Sequence, residues 1–156
     1  MLYLIKKERT ERQVKTILVS RCLLGDPCRY DGTSRPYPGI EALSERYKIV
    51  PICPECDGGL PTPRPAGERR GDRIVTKDGA DLTDAYRRGA ELALKKAKET
   101  GATIALLKSR SPSCGVGQIH DGTFTGGMTE GDGITAELLK ANGIALYTEN
   151  DLSKLL

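Results

Sequence analysis

The stretch VKTILVSRCLLGDPC, residues 14–28, decides the fold. Its first half, Val14 to Ser20, is rich in β-branched residues and nearly continuous in apolar character, as a strand buried in a parallel sheet must be. Its second half turns at once to Gly, Asp and Pro and carries two thiols, Cys22 and Cys28. The same order recurs in IVPICPEC (49–56), with Cys53 and Cys56, and in IALLKSRSPSCG (104–115), with Cys114. Strands of a parallel sheet end on one edge, and ligands bind beyond that carboxyl edge. Three cysteine windows from distant parts of the chain therefore converge there, which is how a metal or cluster site is built.

The remaining elements follow outward from these windows. Lys48 to Ile52 is a second strand, with Pro51 marking its end. A helix is expected from near Pro38, with Ile40, Leu43 and Tyr47 at helical spacing. Residues 57–82 are the least regular, with Pro61, Pro63 and Pro65 stiffening a loop and Arg73 to Thr76 forming a small strand. The strongest helix runs from Thr83 to Thr100: Tyr86, Ala90, Ala93, Leu94 and Ala97 share a face, Asp81 or Thr83 caps its start, and Gly101 ends it. Ala102 to Lys108 is a third strand, Thr135 to Ala141 a helix closed by Asn142 and Gly143, and Ile144 to Thr148 a last strand. Such alternation predicts an α/β fold. We expect a single Rossmann-like domain over 1–156, with residues 1–13 as an N-terminal extension. Its sheet is mostly parallel with helices on both faces, and its cysteine loops lie at the strand C-terminal ends.

Composition narrows the function. A chain of 156 residues buries a core without disulfide staples, and with no Trp and one Phe that core rests on Val, Ile, Leu and Ala. No apolar run approaches the roughly 20 residues that span a bilayer. The start MLYLIKKERTERQVK places charge after a brief apolar run, the reverse of a signal peptide, so a cytoplasmic protein with no membrane association is expected. Five cysteines, an odd number, then point away from disulfides. A net charge of +3 suits an anionic small molecule but is too small and dispersed for a nucleic-acid duplex.

Several cysteine chemistries can be weighed. Cys53 and Cys56 make a C-x-x-C, but a zinc ribbon needs two such knuckles, and Cys22 and Cys28 have five residues between them. A thioredoxin-like pair needs a helix after the motif, whereas DGGLPTP follows here. A phosphatase loop needs Cys, five residues and Arg; from Cys22 that position is Cys28, and Arg29 comes one residue late. His120, the one histidine, reads as a surface or hydrogen-bonding loop residue. An iron–sulfur cluster remains, since thiolates are its preferred ligands. Three cysteines would leave one iron open as a Lewis acid, and four would close the site. The pattern alone does not choose among the five, although spread favours one thiol from each strand end.

The stretches SRCLLGDPCRYDG (20–32), CPECDGGLPTPRPAGE (53–68), KSRSPSCG (108–115), GDGITAELL (131–139) and TEN (148–150) together resemble the thiouracil desulfidase family. The resemblance covers nearly the whole chain after about residue 15. It implies a [4Fe-4S] cluster held by Cys22, Cys53 and Cys114, with an open iron that takes the sulfur of a thiolated pyrimidine base or nucleotide. It further implies Glu55 as the catalytic carboxylate, Ser111 or Ser113 as the functional serine, and thiouracil converted to uracil and hydrosulfide without net electron transfer. Cys56 departs from the commoner family pattern, and Cys28 is variable. The alternative expectation is a structural or electron-transfer domain, iron–sulfur or zinc, without desulfidase activity.

Overall fold

A computed structural model describes residues 14–156, so the extension expected over 1–13 lies outside the described residues. In chain order the strands are β1 (Lys15–Ser20), β2 (Tyr47–Ile52), β3 (Gly67–Arg70), β4 (Arg73–Thr76), β5 (Ile104–Leu107), β6 (Gln118–His120), β7 (Met128–Glu130) and β8 (Ala145–Thr148). The α-helices are α1 (Pro54–Asp57), α2 (Thr83–Thr100), α3 (Ile134–Ala141) and α4 (Leu152–Leu155). Short 3-10 helices cover Arg21–Leu24, Ile40–Glu45 and Glu149–Asp151.

Four strands form one sheet in the order β2-β1-β5-β8, and every neighbouring pair is parallel. Strand β1 lies inside it, with Ile17 opposite Ile49 on one side and Ile104 on the other. Alternation divides the core between two faces. Ile17, Val19 and Leu106 pack with Leu23, Ile40, Leu43, Leu152 and Leu155, whereas Leu18, Ala105 and Leu107 pack with Ala93 and Ala97 of α2 and Ala136 and Leu139 of α3. Ile17, Leu18, Leu106 and Leu107 are fully buried, and each such side chain contributes about 1.5–3 kcal/mol of burial free energy. The result is the α/β architecture read from the sequence, with a parallel sheet flanked by helices and its cysteine loops on one edge.

Helix α2 matches its expected bounds and ends at Gly101 in the left-handed region, φ 73°. At its start Asp81 is the residue that acts: its Oδ1 accepts from the Thr83 amide at 2.9 Å and from the Thr83 hydroxyl. Strand β2 runs through Pro51, and it lies at the sheet edge, where a proline costs no interior ladder bond. The helix expected after Pro38 is a six-residue 3-10 turn over Ile40–Glu45. Two antiparallel hairpins, β3–β4 and β6–β7, flank the sheet: β4 is the small strand expected over Arg73 to Thr76, whereas β3, β6 and β7 were not announced by the sequence pattern. Among the described residues, no helix is long and apolar enough to cross a membrane.

Candidate functional site

A cavity of about 410 Å³ opens beyond the carboxyl ends of β1, β2 and β5. Cys22 reaches it from the 3-10 turn directly after β1. Cys53 reaches it from the residue that caps α1, where its amide donates to Asp57 Oδ2 at 3.2 Å. Cys114 reaches it from the loop after β5, where Ser111 Oγ accepts the Ser113 and Cys114 amides at 3.1 and 3.0 Å. These three thiols are buried, and Cys28, also buried, lines the same cavity. Cys56 does not line it; its Sγ lies 3.3 Å from Thr62 Oγ1 and 3.7 Å from Arg64 Nη1.

Cys28, Cys53 and Cys114 hold their protons. Contact with the Cys22 thiol pushes Cys28 up to about 11, and contact with Cys28, followed by burial, raises Cys53 further. Burial alone is the largest cause that lifts Cys114 to about 12. At neutral pH these groups are neutral, and a metal or cluster that takes them as thiolates must displace protons.

Glu55 stands on α1, two residues after Cys53, and lines the cavity. Its Oε2 accepts from Arg64 Nε at 3.1 Å and again from Arg64 Nη2. The same guanidinium donates from Nη2 to the Cys28 carbonyl at 2.9 Å, so one buried cation joins the Glu55 and Cys28 loops. Tyr86, presented by α2, brings its hydroxyl to the cavity; burial first and the nearby Glu55 carboxylate second raise its pKa well above the usual phenol value. It therefore remains a proton donor at neutral pH.

The two serines separate. Ser111 lines the cavity, and since its oxygen accepts two amides its own O–H is available as a donor. Ser113 is 1% exposed, lies outside the cavity lining, and shares a 2.8 Å hydrogen bond with Thr135 Oγ1 on α3. The TEN run braces this edge: Glu149 accepts from the Ser109 amide at 2.8 Å and meets Lys108 Nζ at 3.3 Å.

Three cavity residues escaped the sequence pattern. Tyr86 reads as a core position of an amphipathic helix, and Arg64 is hidden between Pro63 and Pro65. His120, read as a loop residue, sits on β6 and lines the cavity, and its buried Nδ1 has no hydrogen-bond partner among the described residues. The signal for His120 was only its place six residues after Cys114.

The rim is cationic. Arg29, Arg35, Lys108 and Arg110 all line the cavity. Lys108 is paired with Glu149, and Arg29 lies 3.9 Å from Asp31. Among the described residues no ion pair engages Arg35 or Arg110, whereas Arg64 is committed to Glu55 and Arg69 to Glu137. An anionic group on a bound molecule would meet Arg35 and Arg110 at least competition.

The donor set fits an iron–sulfur cluster. Three buried thiols on three strand ends surround one cavity, and thiolate is the ligand such clusters prefer. Among the described residues, no three His, Cys, Asp or Glu side chains gather closely enough to hold a single metal ion. A cubane spreads its ligands around a larger body than one zinc ion does.

Comparison with known proteins agrees with this chemistry. The family model for 2-thiouracil desulfurase matches residues 17–151. The chain is 43% identical over 150 residues to the uncharacterized protein YbbK of Bacillus subtilis (strain 168), an alignment covering 90% of this chain and 99% of that protein. It is similar to the solved structure of the [4Fe-4S]-dependent thiouracil desulfidase TudS, with a TM-score of 0.84 and 46% identity over 90% of this chain and 95% of that one.

Proposed function

The chain belongs to the 2-thiouracil desulfurase family, and from that membership we propose that it is a [4Fe-4S]-dependent desulfidase of thiolated pyrimidine bases or nucleotides. The reaction exchanges the thiocarbonyl sulfur for the oxygen of water, giving uracil and hydrosulfide with no change of oxidation state. The observation that carries the reading is the convergence of Cys22, Cys53 and Cys114 with Glu55 on one cavity at the carboxyl edge of the sheet.

Cys22, Cys53 and Cys114 are the residues to hold the cluster. When bound, it supplies an open iron that accepts the substrate sulfur and makes the adjacent ring carbon more electrophilic. Glu55 acts as general base on the attacking water, or moves a proton to the ring nitrogen. Its Oε2 is held by Arg64, which leaves Oε1 uncommitted to that guanidinium for the task. Ser111 donates its hydroxyl proton to the base edge or orients the water. Ser113 supports this arrangement indirectly, by tying the Cys114 loop to α3 through Thr135. Arg35 and Arg110 suit the phosphate of a nucleotide substrate.

One observation favours a second reading. Cys28 is buried in the same cavity, and four bound cysteines would make a closed structural or electron-transfer metal centre. Anaerobic reconstitution with iron and sulfide, followed by sulfide assays on 2- and 4-thiouracil and the corresponding nucleoside and monophosphate, separates the two. Turnover that depends on the cluster supports the desulfidase; a full charge-transfer spectrum without turnover supports the closed centre.

A further inference from the structure

Arg64 has a side chain only 3% exposed, and a guanidinium buried to that degree is tolerated only where its donors are paired. Each of its nitrogens is engaged. Nε and Nη2 donate to Glu55 Oε2, Nη2 also to the Cys28 carbonyl at 2.9 Å, and Nη1 to the Pro61 carbonyl at 3.2 Å and Thr62 Oγ1 at 2.9 Å. The residue is itself anchored, since its amide donates to the Tyr30 carbonyl at 2.7 Å. Pro63 and Pro65 on either side restrict the backbone that presents it.

Both Glu55 contacts converge on a single carboxylate oxygen. A side-by-side pair would occupy both oxygens, whereas this grip leaves Oε1 uncommitted to Arg64 and sets the plane in which it can face a ligand. We infer that Arg64 is the positioning residue of the site, holding the Glu55 carboxylate in its working orientation and tying that orientation to the loop of Cys28. The inference rests on the desulfidase reading. Lysine cannot replace this function, because one ammonium lacks the planar fork that reaches Glu55, Cys28 and the proline loop together.

Two double-mutant cycles test it, each built from Arg64→Lys, Glu55→Gln and the double variant. The first measures urea unfolding of the cluster-free chain, and it reports the pair without reference to activity. The second measures sulfide release by the reconstituted chain, with iron content and charge-transfer absorption recorded for each variant. We expect coupling in the unfolding cycle, and Arg64→Lys with wild-type iron content, KM within about threefold, and kcat lowered about 10²-fold, the scale of an ångström-level misplacement. In the Glu55→Gln background the same change should cost less than about threefold more, because the group it positions is already gone. Independent, multiplying losses in kcat would overturn the inference, as would Arg64→Lys with an intact cluster and unchanged kcat, or with a lost cluster. Failure of the wild-type chain itself to release sulfide is a different result, and it removes the desulfidase reading on which the inference rests.

Discussion

Replacing Gly89 with alanine tests how closely the Cys53–Glu55 segment depends on the helix beneath it. Gly89 lies on the buried side of α2, under α1. A Cβ built there would stand 1.9 Å from the Pro54 carbonyl oxygen and 2.6 Å from its carbon, where real Cβ contacts essentially never fall under 3.0 Å. The Pro54 carbonyl oxygen would therefore retreat by at least 1.1 Å, the shortfall of its 1.9 Å separation below the 3.0 Å limit. Gly58 makes the reciprocal approach, its own Cβ position lying 2.1 Å from the Ala85 carbonyl oxygen. Helix propensity alone favours alanine by about 0.8–1.0 kcal/mol. Overpacking costs about 1–3 kcal/mol, so the net effect is a loss of roughly 0–2 kcal/mol. The greater effect is on function. Pro54 sits between Cys53 and Glu55, so its retreat displaces the proposed cluster ligand and the proposed general base together, and turnover should fall about 10²-fold. Urea unfolding, iron content after reconstitution and sulfide release measure the three consequences. A Gly89→Ala protein that is more stable by about 1 kcal/mol, with wild-type iron and turnover, would refute the reasoning.

The other predictions concern single side chains. Ser113→Ala leaves the Thr135 hydroxyl without its buried partner and should cost about 1–3 kcal/mol in urea unfolding, whereas Ser111→Ala should act mainly on kcat; the reverse assignment of effects would contradict the roles given to the two serines. Cys56→Ala should keep the full charge-transfer absorption, because that thiol lies outside the cavity lining, and loss of the chromophore would add Cys56 to the ligand set. Cys114 is raised from 9.0 to about 12 in the folded cluster-free chain, so the fold binds this proton more tightly than the unfolded chain does. Its contribution to stability is full below pH 9.0 and is lost as pH rises towards about 12. Urea midpoints of the cluster-free chain measured from about pH 8 to about pH 11 should fall less steeply for Cys114→Ala than for the wild type, and equal slopes would contradict the assignment.

The parts of the fold that were legible in the sequence are those whose determinants are local. β5 is an unbroken apolar run and β1 centres on one, Ile17 to Val19, while α2 carries its own start signal at Asp81, its small-residue face and its stop at Gly101. Strand β3 was hidden because its GERR sequence has no apolar alternation. Its inward residue is Glu68, which is buried and accepts the Gly122 amide at 3.0 Å. β6 and β7 are three residues each in a glycine-rich segment and exist through pairing with one another. Cys22, Cys53 and Cys114 were legible as cavity-lining candidates because each follows the end of a different strand. Arg64, Tyr86 and His120 were not, since they arrive from a proline loop, a helix core face and a hairpin, and only tertiary packing brings them to the cavity.

Hydrosulfide release from 4-thiouracil by the anaerobically reconstituted chain, measured beside its charge-transfer absorption and beside the cluster-free chain, is the most direct test of a cluster-dependent desulfidase. Uracil and hydrosulfide appearing in equal amounts only when the cluster is present, with both cluster and turnover lost in Cys22→Ala, Cys53→Ala and Cys114→Ala, is the predicted result. A fully formed cluster that releases no sulfide from any thiolated base or nucleotide would contradict it.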